Sequence, residues 1–227
     1  MNQLRKPLNI TIAILVVLGA AIVGSSGFYI DWLWFKSVGF TSVWSTVLTT
    51  KITLFVVVGL ITSLFISANI YLAHRSRPLY VPMTIEADNL ERYRAQIEPI
   101  RRWVFLGIAL VLIYFGGSSG SVFWSTWLQF KNSTPFGQTD PQFGLDISFF
   151  AFKLPMYQAL ISWGISLVLI STIAAVAVHY LYGGIRPQAP TQRTTTAARV
   201  QISVLLGLLV LLKAVAYWYD RYALALK

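Results

Sequence analysis

Apolar residues in this chain gather into five runs: Leu8–Ile30, Val47–Ala73, Trp103–Ser121, Met156–Tyr182 and Val200–Tyr219. Each is long enough for a helix to cross a hydrocarbon core of about 30 Å, which takes about 20 residues. Apolar runs of this length exceed what a water-soluble core requires. The pattern predicts an all-α fold, a multi-pass transmembrane helical bundle of about five spans forming a single domain over residues 1–227. The third run is the least regular. Its strongly apolar part stops at Phe115 and is followed by Gly116-Gly117-Ser118-Ser119-Gly120, which predicts a short, kinked or broken helix. Leu8–Ile30 follows Arg5 and Lys6 and is longer than the roughly 7–15-residue core of a cleavable signal peptide. It is therefore read as an uncleaved first helix, with Ala20–Gly27 marking the cleavage region of the alternative.

The polar stretches between the runs differ in kind. Segment 84–102 carries Leu90, Tyr93, Ile97 and Ile100 at three- and four-residue steps, with Asp88 and Glu91 spaced as a capping box, which predicts an amphipathic helix over Ile85–Arg102. Its Arg92, Arg94, Arg101 and Arg102 suit an anionic lipid leaflet, at about 1 kcal/mol for each basic residue near the surface. The alternative is a solvated linker helix docked on the bundle. Gly183–Arg199 is rich in Pro, Gln and Thr without an apolar period and reads as a flexible connector. The long loop 122–155 is aromatic and poor in charge. Asp140-Pro141 and Gly144 punctuate a turn, and Pro155 suits the first turn of the next helix. Between them Ile147, Phe149, Phe150 and Phe152 require burial against the bundle's outer rim, the interfacial lipid or a partner protein, and in the last case offer a docking surface.

Charge orients the spans. One set of connections holds Arg5, Lys6, Arg75, Arg77, Arg92, Arg94, Arg101, Arg102, Arg186, Arg193 and Arg199; the other holds Lys36, Lys131, Lys153, Arg221 and Lys227. The richer side is expected to be cytoplasmic, which puts the N-terminus inside, the C-terminus outside and loop 122–155 outside. Aromatic clusters at Tyr29–Phe35, Phe123–Trp127 and Tyr217–Tyr219 all fall at the expected outer interface, where amphipathic rings collect. Composition agrees: 56% of residues are hydrophobic and 11% charged, against about 25% charged in ordinary soluble domains. The net charge of +10 follows topology, so no nucleic-acid partner is expected. The absence of cysteine excludes disulfides, thiolate metal sites and cysteine nucleophiles.

Four separated motifs carry a family resemblance. They are Asp31-Trp32-Leu33-Trp34-Phe35 with Val38-Gly39-Phe40; Arg92-Tyr93-Arg94; Thr139-Asp140-Pro141-Gln142-Phe143-Gly144-Leu145-Asp146-Ile147-Ser148-Phe149-Phe150-Ala151-Phe152-Lys153-Leu154-Pro155; and Tyr217-Trp218-Tyr219-Asp220-Arg221-Tyr222. In this order they resemble uncharacterised protein family 0182, large multi-pass membrane proteins of actinobacteria among others. The resemblance covers nearly the whole chain. It implies further transmembrane helices and a large extracytoplasmic region beyond the part seen here, hence an N-terminal fragment, a truncated product or a short paralogue. It implies no mechanism.

Candidate chemistry is sparse. Lys213 stands within the fifth run; either its ammonium snorkels past Tyr217, or it faces the bundle, paired with a polar group or lining a polar pathway. Lys51, near the outer end of its run, is read as snorkelling. Asp140 and Asp146, with Asn132 and Thr139 nearby, are weak candidates for a hard cation such as calcium, against turn-forming and helix-capping roles. Ala20 with Gly24, and Gly116 with Gly120, have the four-residue spacing of close helix contacts. His74 and His179 are read as interfacial. No nucleophile elbow, phosphate loop or paired intramembrane carboxylates are found, so no enzyme and no cofactor is expected. The expected function is a membrane-anchoring or assembly domain of the bacterial cell envelope, in the plasma membrane, whose partners are the bilayer, anionic lipids at the cytoplasmic face, and envelope proteins or further copies of the chain. The alternative is a transporter or channel component with Lys213 on its pathway.

Overall fold

A computed structural model of the protein describes residues 5–78, 96, 98–188 and 192–223, leaving out the side chains of residues 5–10, 12, 13, 17, 18 and 20–25. The described residues form six α-helices: α1 Arg5–Ser37, α2 Thr41–Arg75, α3 Arg101–Val122, α4 Trp124–Lys131, α5 Leu154–Leu181 and α6 Thr196–Ala223. A π-helical turn, Phe149–Lys153, leads directly into α5, and a 3₁₀ turn, Glu98–Ile100, leads into α3. No strand is present among the described residues. Four stretches are long and apolar enough to cross a membrane: Thr41–Arg75, Glu98–Val122, Phe149–Leu181 and Thr196–Ala223. They contain the four later runs of the sequence, apart from the terminal Tyr182 of one. The first run, Leu8–Ile30, falls inside α1.

Helix ends follow local chemistry. Pro78 stands just beyond the end of α2, where it cannot continue a helix. Pro155 occupies the first turn of α5, where its missing N–H removes no helical bond. Past α5, Gly183 adopts φ +73° and lets the Gly184 N–H donate back to the His179 carbonyl at 2.6 Å, a glycine-dependent helix stop. The Thr195 hydroxyl accepts the Ala198 N–H at 3.3 Å and caps the start of α6.

The chain divides into two compact units, residues 1–50 and 51–227. In the first, Gly39 at φ +79° turns the chain from α1 into α2, and the Phe28 and Trp44 rings meet at 5.0 Å. In the second, helix ends gather at two poles. One joins Lys51 to Trp124 and Phe143 to Tyr222; the other joins His74 to Tyr182.

Small residues make the helix contacts. A Cβ on Gly59 would lie 2.6 Å from the Ile113 carbonyl oxygen, and one on Gly117 would lie 2.6 Å from that of Phe55. Only glycine lets α2 and α3 approach so closely. Ser63 Oγ donates to the Ala109 carbonyl at 3.0 Å, and Trp163 Nε1 donates to Thr62 Oγ1 at 3.3 Å. The expected break at Gly116–Gly120 is therefore corrected: α3 runs through it unbroken, because those glycines are its contact face. Gly116 lies against Thr62 and Gly120 against Val58, so this pair serves packing within the bundle. Ala73, Val168, Ala175 and Leu205 form the buried core of α2, α5 and α6. Large residues such as Leu64, Ile173 and Val210 stand 62–70% exposed. Large apolar side chains outside and small ones between helices is the arrangement lipid favours.

Two connections differ from expectation. The described flanks of Gly183–Arg199 are paired with each other: Ile185 and Thr194 form an antiparallel bridge, and the Arg186 N–H donates to the Arg193 carbonyl at 2.7 Å; residues 189–191 lie outside the described residues. Of the amphipathic segment 84–102, residues 84–95 and 97 lie outside the described residues, and with them Arg92 and Arg94. Its described end is the 3₁₀ turn and the first turn of α3, so Arg101 and Arg102 belong to a spanning-length helix and not to a separate surface helix.

Candidate functional site

Loop 122–155 is a folded cap, and two carboxylates organise it. Asp140 Oδ2 accepts the backbone N–H groups of Gln142 and Phe143 at 3.0 and 2.7 Å, holding the turn that the Gly144 N–H closes on the Asp140 carbonyl at 2.9 Å. Asp146 reaches further. Its Oδ1 accepts from the backbone of Phe136 and Ser148 at 3.1 and 2.8 Å, and its Oδ2 from Gly137 at 2.9 Å. The Ser148 hydroxyl, then these backbone donors, lower its pKa from 3.8 to about 2, desolvation opposing them. Both carboxylates are thus engaged with this chain's own donors. Among the described residues no cluster of three or more His, Cys, Asp or Glu could hold a metal ion.

Aromatic rings fasten the cap to the end of α6. Tyr222 is their hub, meeting Phe143 at 5.0 Å, Phe149 at 5.4 Å and Tyr219 at 6.2 Å. Phe149 and Phe150 stand edge to face at 5.4 Å, and Phe152 meets Phe136 at 5.5 Å. Edge-to-face pairs contribute about 0.5–1.5 kcal/mol each beyond burial. Arg221 stacks over Trp218 at 3.6 Å and hydrogen-bonds the Tyr222 hydroxyl. Of the covers expected for these rings, the bundle's rim takes Phe149 and Phe150, which meet Tyr222 and each other, while Phe152 meets Phe136 within the cap. Phe150 is 5% exposed and the other two are half-buried, which corrects their reading as an outward docking surface. Phe136, 52% exposed, and Ile147, 40% exposed, are among the apolar groups the cap turns outward, with Val122 and Trp127.

The charges within the spans lie beside rings. Lys51 Nζ is 5.3 Å from the Trp124 ring centre, and Lys213 Nζ is 5.2 Å from that of Tyr217, one turn along its own helix. A cavity of about 250 Å³ near this pole is lined by Gln158, Ser162, Tyr219 and Asp220 among others; Lys213 is not one of its walls. His179, two residues from the end of α5, is 1% exposed within the protein. Its Nε2 lies 2.9 Å from Gln201 Oε1, and Gln201 Nε2 donates to the Asn69 carbonyl at 2.9 Å, tying α5, α6 and α2 together. Sequence reasoning missed this network because its members are single residues on three separate helices.

At the opposite pole lies a second cavity, of about 440 Å³. Its basic walls are Arg75 and Arg77 from the end of α2 and Arg101 and Arg102 from the start of α3, with His74, Tyr71 and Phe105 beside them. Arg101 is paired with Glu98 at 2.8 Å. Arg77 lies 3.4 Å from His74 Nε2 and 5.6 Å from the Tyr182 ring centre. Two of the four interfacial arginines expected from sequence thus meet two others in one pocket.

The model of the family described as Uncharacterised protein family (UPF0182) matches residues 8–227. The chain belongs to this family. UPF0182 proteins of Streptomyces coelicolor, Thermobifida fusca and a Nocardioides species are 50%, 45% and 43% identical to it, over 98%, 93% and 98% of its length. These alignments take in 22%, 21% and 22% of the relatives, so the chain spans about a fifth of the length of the curated UPF0182 relatives it matches. No solved structure matches it.

Proposed function

We propose that this part of a UPF0182 protein is a membrane-anchoring and assembly domain of the actinobacterial plasma membrane, with five spans, the N-terminus inside and the folded cap outside. The observation that carries the reading is the cap. A passive connector has no need of a carboxylate receiving three backbone N–H groups or of a ring cluster fixed to the next helix. A rigid platform exposing Phe136 and Ile147 suits attachment of envelope components, and helices with large apolar residues outward suit lipid. A transporter or channel component would need Lys213 on a polar path. Among the described residues its contact is the Tyr217 ring, which favours anchoring.

The test is photo-crosslinking in intact cells from a probe at position 136 or 147, combined with alkaline carbonate extraction. The domain should stay in the membrane pellet and give discrete higher-mass adducts from both positions. Release into the supernatant defeats anchoring, and a pellet-bound chain without adducts defeats assembly through the cap.

A further inference from the structure

We propose that the cavity between the end of α2 and the start of α3 is a binding site for a phosphate group. Arg75, Arg77, Arg101 and Arg102 converge on about 440 Å³ of open space, room enough for a phosphate with the headgroup that carries it. Guanidinium is the side chain best matched to phosphate, because its planar donors engage two oxygens together. Glu98, on Arg101, is the only acidic partner of these arginines among the described residues, so the described walls carry more positive than negative charge.

The start of α3 adds a second attraction. Its N-cap residue is Ile100, which supplies no side-chain hydrogen bond, and its first turn contains no acid. The 3₁₀ turn Glu98–Ile100 leads straight into this 22-residue helix, and the positive end of the helix dipole lies at Arg101 and Arg102.

Two of the cations are held in place. Glu98 orients Arg101, while His74 and the Tyr182 ring brace Arg77. Arg75 and Arg102 are exposed and free to close on a ligand. Tyr71 and Phe105 give the pocket an apolar wall, as a phosphate joined to a glycerol backbone requires. The same chemistry serves a lipid headgroup or a soluble phosphate. The lipid source rests on the membrane reading above and the soluble source does not, so the two fail separately.

The experiment uses the whole chain purified in detergent. One arm titrates inorganic phosphate and glycerol 3-phosphate, followed by thermal shift. The other incubates the protein with phosphatidic acid or phosphatidylcholine and counts bound lipids by native mass spectrometry. Phosphate binding in the first arm alone identifies a soluble ligand. Retention of phosphatidic acid over phosphatidylcholine identifies a lipid. In whichever arm binds, Arg75→Gln/Arg102→Gln should weaken binding by about tenfold or more, since charged hydrogen bonds are lost, and Arg75→Lys/Arg102→Lys should retain part of it if the glutamine variant folds poorly. Arg193→Gln/Arg199→Gln removes the same charge outside the cavity and should bind like the parent. No binding in either arm, or equal losses in the two glutamine pairs, would overturn the site.

Discussion

Phe150 and Asp146 are the residues on which the cap most depends. Phe150→Ala empties a buried ring position and should lower stability by about 3–5 kcal/mol in equilibrium unfolding from mixed micelles, whereas Phe136→Ala, half exposed and losing one edge-to-face pair with Phe152, should cost only about 0.5–1.5 kcal/mol. Equal effects would mean that the ring cluster is not the cap's core. Asp146 ties the cap to pH. Its folded pKa, about 2, lies below the ordinary 3.8, so its contribution is fully present above about pH 4 and is lost as pH falls through 2. Fluorescence of Trp124 and Trp127 against pH should report loosening in that window, and Asp146→Asn should flatten the change while weakening the cap at neutral pH. Much of this is legible in the sequence. Asp-Pro, Gly144 and Pro155 announce a turn leading into a helix, and four neighbouring apolar residues announce burial. What covers them is not legible, because Tyr222 lies more than seventy residues away and reads by itself as part of an interfacial aromatic belt.

Among the elements, α3 shows best how the solvent changes a rule. In water a glycine run lowers helix propensity, and Gly116–Gly120 reads as a break. Between apolar helices the same residues permit close contact, which a sequence cannot reveal without knowing what faces them. Gly59, on α2, supplies the matching flat surface. Gly117→Leu should therefore cost about 1–3 kcal/mol or more by overpacking, because the nearest obstacle is the backbone carbonyl of Phe55. Gly107 is on the same helix, and a Cβ added there would meet nothing within 4 Å. Gly107→Ala should be neutral or stabilising by up to about 1 kcal/mol. Unfolding of both variants under the same conditions separates a contact glycine from an incidental one, and a tolerant Gly117 would refute the α2–α3 interface. The apolar runs themselves foretell the long helices directly, since length and hydropathy are properties of one segment. The Ile185–Thr194 bridge and the His179–Gln201–Asn69 tie depend on pairings between segments and leave no local signal.

For the molecule as a whole, the central claim is that the chain crosses the membrane with its cap outside and its arginine cavity inside. Four helices of spanning length and apolarity support the crossing, and the uneven distribution of arginine predicts its orientation. The protein contains no cysteine, so single cysteines introduced at Ser133, Ser76 and Thr194 can each be labelled without background. With a membrane-impermeant maleimide on sealed cells, Ser133→Cys should react at once, whereas Ser76→Cys and Thr194→Cys should react only after the membrane is opened. Labelling of Thr194→Cys in sealed cells, or protection of Ser133→Cys there with reaction after opening, would contradict the account.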